Sequence, residues 1–112
     1  MQQCVKALMS EPQQYKVVIQ ERAKDMLVAH ARFLSQVSIQ AANKLVDEFS
    51  VKASSLEFNP ERCSWLFDPM VPSHKYRKLL FGKRYLIIFQ LIEHIVSIDA
   101  VVDCRQDYGW LL

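Results

Sequence analysis

Apolar residues change their spacing along this chain, and each change predicts a different element. Tyr15 to Gln20, "YKVVIQ", is short and β-branched and reads as a strand. From Glu21 the apolar positions fall to helical spacing. Ala23, Met26, Leu27, His30, Phe33 and Leu34 share one stripe, which predicts a helix from about Glu21 to Leu34. "SQVS" interrupts it, and Ser38 is placed to cap a second helix. That helix carries Ala42, Leu45, Val46, Phe49, Ala53 and Leu56 on its stripe. It is expected to stop at Asn59-Pro60, because the residue before a proline avoids helical backbone. Both stripes are too apolar to face water, so the helices are expected to pack as a hairpin against a sheet.

"PERCSWLFDPMVPS" has three prolines between residues 60 and 72 and reads as a loop, with Trp65, Leu66 and Phe67 plugging an end of the core. The stretch from His74 to Tyr108 then predicts three antiparallel strands. Gly82-Lys83 is expected to form a two-residue turn with glycine first, and Glu93-His94 a second one. Those turns set a register: Phe81 opposite Arg84, Arg77 opposite Ile88, Ile88 opposite Asp99 and Arg84 opposite Asp103. Alternation then assigns Tyr76, Leu80, Tyr85, Ile87, Phe89, Val96, Ile98 and Val102 to the helix-covered face. The opposite face receives Lys75, Arg77, Leu79, Arg84, Leu86, Ile88, Asp99, Asp103 and Arg105. An apolar floor with a charged rim suits a groove for a partner.

Composition adds limits. A chain of 112 residues with 51% apolar positions is one domain with a core of its own, so residues 15–112 form the domain and 1–14 an arm. Met9 is an alternative start to Met1. The net charge of +2 is too small to imply nucleic-acid binding. Its distribution is uneven: between Pro69 and Ile92 there is no acid, while Lys75, Arg77, Lys78, Lys83 and Arg84 fall there. Cys4, Cys63 and Cys104 are odd in number and lack CxxC spacing, which points away from a disulfide framework or zinc knuckle. A reduced, cytoplasmic setting is expected. No signal peptide and no apolar run of ~20 residues is visible, so no membrane contact is expected.

The order strand, helix, helix, loop, three-stranded meander brings in a resemblance. With "YKVVIQERAKDML", "YRKLLFGKRYLIIFQL" and "VVDCRQDY", the chain resembles toxins of the RelE/ParE superfamily, from about Tyr15 to Tyr108. The resemblance implies an α+β fold: an N-terminal strand and a two-helix hairpin packed on an antiparallel sheet of about four strands. It implies the toxin of a bacterial type II toxin–antitoxin module, of the plasmid stabilisation or addiction kind, neutralised by a cognate antitoxin. ParE-like members poison DNA gyrase. RelE-like members cut messenger RNA in the ribosome, and a degenerate, non-toxic binding module is a third alternative. Residue by residue, Arg77 matches a basic groove residue of RelE-like ribonucleases, Arg105 matches an arginine late in the last strand, and Tyr108 lies near a tyrosine that assists the chemistry. Leu86 and Leu79 stand where those ribonucleases carry further cations.

The resemblance thus implies Arg77, Arg105 and Tyr108 as catalytic residues if the chain is a ribonuclease. The expected partner groove consists of Lys75, Arg77, Arg84, Leu86, Asp99, Asp103 and Arg105. No metal and no cofactor are expected, since neither a glycine-rich phosphate loop nor a ligand cluster is present in the sequence. RNA cleavage through the 2′-hydroxyl needs a base, an acid and positive charge on the phosphate. Arg77 and Arg105 would supply the charge. His74 falls on the wrong parity, His94 sits in a turn, and His30 lies on a helix stripe and reads as a core histidine. Asp99 and Asp103 read as cross-strand partners of arginines. Cys104 reads as a small packed residue. The cations from Lys75 to Arg84 equally describe a solvated sheet edge.

Overall fold

The predicted elements form where propensity and capping agree. In the structure, a computed structural model, residues 14–69 and 71–104 are described. Strand β1 spans Lys16–Ile19 and helix α1 Glu21–Ser35. Helix α2 covers Ile39–Ser55 and begins as expected: the Ser38 side chain accepts a hydrogen bond from the Ala41 amide at 3.1 Å. It ends at Ser55, short of Asn59-Pro60. Arg62 accounts for that end. Its guanidinium donates to the carbonyls of Phe58 and Asn59 at 3.0 and 3.1 Å and to Ser55 Oγ at 2.9 Å. The Ser55 carbonyl at the helix end also accepts from Arg62, at 3.4 Å, and the chain turns through left-handed Asn59 into a short 3₁₀ turn, Pro60–Arg62. No helix among the described residues is long and apolar enough to cross a membrane.

The sheet has five strands, in the order β1-β5-β4-β3-β2. β2 is Ser64–Trp65, β3 Arg77–Phe81, β4 Tyr85–Ile92 and β5 Ile95–Asp103. β2 lies inside the segment read as a loop. β1 joins β5 in parallel, Val17 opposite Val96, and the helical hairpin supplies the crossover that parallel pairing requires. The expected α+β fold is therefore present, with one more strand and a mixed sheet.

The second turn is as expected: Ile92 faces Ile95, and Glu93 takes φ 58°. The first is not. Gly82, Lys83 and Arg84 form a three-residue connection, and Phe81 faces Tyr85 instead of Arg84. Arg77 then pairs with Phe89 and Leu79 with Ile87. One residue of slip turns every β3 side chain to the opposite face. The gain is the burial of Phe81, 2% exposed and edge-on to Phe49 of α2 at 5.8 Å. Leu80, given to the core by the two-residue turn, is 50% exposed.

A second irregularity lies on β5. Phe89 faces Ile98 while Ile88 faces Ala100, so Asp99 is an extra, bulged residue. The bulge keeps Val96 and Ile98 on the helix side and also brings Val101 there. Ala100 and Val102 go to the other face, with Leu86 and Ile88 of β4. That face is covered too: Leu66, Val71 and Tyr76 pack on it. β4 is consequently buried on both sides from Tyr85 to Phe89, which explains its unbroken apolar run. Of the three residues expected to plug the core, Leu66 does so at 2% exposure, whereas Phe67 is 68% exposed.

The slipped register has a measurable consequence. Phe81→Ala is expected to cost about 3–5 kcal/mol of stability, and Leu80→Ala less than about 1 kcal/mol. Urea denaturation of the two variants checks this; a larger cost at Leu80 would restore the two-residue turn.

Candidate functional site

The expected groove residues sit at different places. Arg77, turned over by the slip, lies on the helix side of β3 near the edge. Its guanidinium lies 3.9 Å above the Trp65 ring and donates to the carbonyls of Cys63 and Glu61 at 2.7 and 3.2 Å. Its Nε is buried without a hydrogen-bond partner. Lys75 is exposed in the turn before β3, with its ammonium 5.3 Å from the centre of the Tyr76 ring. Leu86, expected as groove floor, is buried beneath the second core layer. Arg105 and Tyr108 lie outside the described residues.

Asp99 is tied down at its bulge. It accepts from Gln90 Nε2 at 2.6 Å and from Ser97 Oγ at 2.8 Å, and Ser97 also takes a bond from Gln20 at 2.9 Å. Asp99 is thus held by one amide and one hydroxyl rather than by an arginine side chain across the strands. The expectation for Asp103 fares better. Arg84 Nε lies 3.5 Å from the Asp103 carboxylate, although the strand register pairs Asp103 with Tyr85. Of the expected set, the described contacts join only Arg84 and Asp103.

The remaining candidates are explained by packing. His30 Nε2 donates to the Val101 carbonyl at 3.0 Å, with its ring edge-on to Tyr85 at 5.1 Å, as a core histidine should. His74 has left-handed backbone, φ 59°, and meets the rings of Trp65 and Phe67 edge-on. Burial pushes the Cys63 thiol up, away from nucleophilic character. Cys104 is exposed rather than packed. No group of three or more metal-ligating side chains gathers among the described residues.

Around Arg77 the structure builds a junction not visible in the sequence. The Tyr15 hydroxyl donates to the Glu61 carboxylate. That bond holds the Glu61 carboxyl below the usual glutamate range and lifts the Tyr15 phenol above its own. The same Glu61 gives its backbone carbonyl to Arg77. The residue before β1, the 3₁₀ turn and β3 are thereby locked together at one end of the sheet.

Opposite this junction an open groove of about 400 Å³ runs between the helical hairpin and the β3–β4 connection. Leu34, Ala41, Leu45 and Tyr85 form its apolar lining, and Lys44, Lys83 and Arg84 its cations. Gly82 shapes the mouth. Its φ is 59°, and a Cβ there would stand 3.3 Å from Glu48 Oε1 and 3.4 Å from Tyr85. Sequence reasoning used Gly82 and Lys83 as a turn and missed the groove, because Lys44 stands some forty residues earlier in the chain. The exposed Lys44 on α2, off the apolar stripe, was the available signal.

Residues 17–108 match the family described as "ParE toxin of type II toxin-antitoxin system, parDE". Among solved structures, the chain is similar to one titled "Chromosomal ParDE TA system from P. aeruginosa", with TM-score 0.66 and 14% identity, covering 81% of this chain and 97% of that one. At that identity the likeness concerns the fold. No curated protein matches the chain.

The Tyr15–Glu61 bond makes stability depend on pH in a defined sense. The depressed Glu61 carboxyl contributes stability above the ordinary glutamate range, lost as pH falls through its folded value. The raised Tyr15 phenol contributes below the ordinary tyrosine range, lost as pH rises through its folded value. Tyr15→Phe is expected to flatten the acid-side decline, followed as urea midpoints across a pH series. An unchanged acid slope would remove the hydrogen bond from this role.

Proposed function

The chain belongs to the ParE toxin family of type II toxin–antitoxin systems, and from that membership we propose that it is the growth-inhibiting half of such a module, neutralised by a cognate antitoxin and acting in the cytoplasm by binding DNA gyrase. The module would serve plasmid or locus stabilisation. The observation that carries the choice of target is the condition of Arg77. A ribonuclease needs cationic charge turned to a scissile phosphate, with an acid and a base beside it. Arg77 instead donates to two backbone carbonyls and covers an indole ring. His30 is likewise spent on a carbonyl, and Asp99 on Gln90 and Ser97. Side chains consumed in packing support a toxin that works by holding a protein target.

The acid-free run of cations from Lys75 to Arg84 favours a second reading, a RelE-like endoribonuclease acting on ribosome-bound messenger RNA with Arg105 and Tyr108 in its site.

Induced expression of the chain alone is expected to arrest growth, and the purified protein to inhibit gyrase in a supercoiling assay. New transcript 5′ ends near start codons, with supercoiling untouched, would replace gyrase by messenger RNA. Normal growth would leave only a non-toxic binding module.

A further inference from the structure

β1 lies at one margin of the sheet, paired with β5 on one side and with no strand on the other among the described residues. Its hydrogen bonds show which groups that leaves. The Lys16 amide donates to the His94 carbonyl and the Gln20 amide to the Ile98 carbonyl, both at 2.9 Å. Alternation along a strand then turns Lys16, Val18 and Gln20 towards β5, and the amides and carbonyls of Val17 and Ile19 away from it. Free backbone groups at a sheet margin are a template for pairing with another chain.

The same margin already pairs where a partner is at hand. The Tyr15 amide, next in the outward series, donates to the Glu57 carbonyl at 2.8 Å, and Gln14 forms an antiparallel bridge with Phe58. Past Tyr15 the helix side of β1 opens on a groove of about 260 Å³, floored by Val17, Ile19, Phe49 and Ala53 and edged by Ser50 and Ser54. The opposite margin of the sheet is blunted. β2 has two residues, with Pro60 before it and Pro69 and Pro72 after. β1 has no proline, its register with β5 is unbroken, and Val17, Val18 and Ile19 are each half-buried.

The sequence of β1 specifies the occupant, because the strand is its own complement. Laid antiparallel on a second copy about a two-fold axis at Val18, Val17 stands opposite Ile19 of that copy, and Ile19 opposite its Val17. These are the residues whose amides and carbonyls face outward, so each pair exchanges hydrogen bonds in both directions. Lys16 stands opposite Gln20, and no like charges face each other. Val18 meets Val18 on the outer face, while Val17 and Ile19 of each copy extend the apolar groove floor of the other. Other registers fail. Shifted by one residue, outward groups would face inward ones. Shifted by two, the pairing would reach Tyr15, already bonded to Glu57, or Glu21, already in α1.

We infer that β1 pairs with β1 of a second copy of this chain, antiparallel about a two-fold axis at Val18, and so joins two five-stranded sheets into one. The inference is independent of the function proposed above.

Sedimentation of the purified whole chain over a dilution series is expected to show a monomer–dimer equilibrium. Val17→Pro removes an outward amide that β5 does not use, and with it half of the hydrogen bonds across the axis. It should weaken the dimer by about tenfold or more, with the chain still folded by circular dichroism. Cross-linking reads the register. In a Cys4→Ser/Cys104→Ser chain, Val18→Cys sets two thiols across the axis on Cα atoms about 4.5 Å apart, within disulfide reach. Lys16→Cys sets them about 13 Å apart along the strands. Mild oxidation should therefore link copies of the first variant and not of the second. A monomer at every concentration, which is also the outcome if residues 1–13 or an unrelated protein covers this margin, overturns the proposal. So does a dimer that Val17→Pro leaves intact, or one that links equally through both cysteines. Should Val17→Pro unfold, the cysteine pair alone decides.

Discussion

The three-residue connection at Gly82, Lys83 and Arg84 is the constraint on which the rest of the molecule depends. Its backbone takes positive φ at Gly82 and Lys83, and a Cβ at the first position would stand 3.3 Å from Glu48 Oε1 and 3.4 Å from Tyr85. Because side chains alternate along a strand, this single extra residue decides which way all of β3 faces. It sends Phe81 between Phe49 and Tyr85, in a run of aromatic contacts at 5.8 and 5.7 Å. It also carries Arg77 to the helix side, where Trp65 and two carbonyls receive it.

The connection turns Tyr76 to the outer face of the sheet, and the Asp99 bulge turns Ala100 and Val102 there beside Leu86 and Ile88. With Leu86, Ile88, Ala100 and Val102 turned there, the face is too apolar to meet water. Leu66, Val71 and Tyr76 close over it. The segment between the helices and the meander is therefore a second core layer as well as a connection. Arg62 and the Tyr15–Glu61 bond hold the start of that segment, by closing the end of α2 and by tying the 3₁₀ turn to the residue before β1.

With one face under the helices and the other partly under this layer, the groove between the hairpin and the β3–β4 connection combines open apolar surface with the cations Lys44, Lys83 and Arg84. Its members come from α1, α2, the β3–β4 connection and β4. Helices and turn are tied to each other there by the Phe49–Phe81–Tyr85 packing.

Much of the fold was legible in the sequence because its signals are local. β-branched Tyr15–Gln20, the helical stripes, the Ser38 cap and the apolar run of β4 each depend on neighbours within a few residues. The resemblance to RelE/ParE toxins rested on the same stretches. The early end of α2 was hidden, since it depends on Arg62 reaching back to Ser55. The candidate site was hardly legible. Gly82-Lys83 is equally compatible with a two- or a three-residue reversal, and the difference lies in whether Phe81 or Leu80 finds room beside Phe49. The Asp99 bulge, likewise, follows from fitting Ile98 and Val101 to the same helices. Periodicity determined which residues must be buried; packing against a distant helix determined which face they were buried on, and so where every cation came to lie.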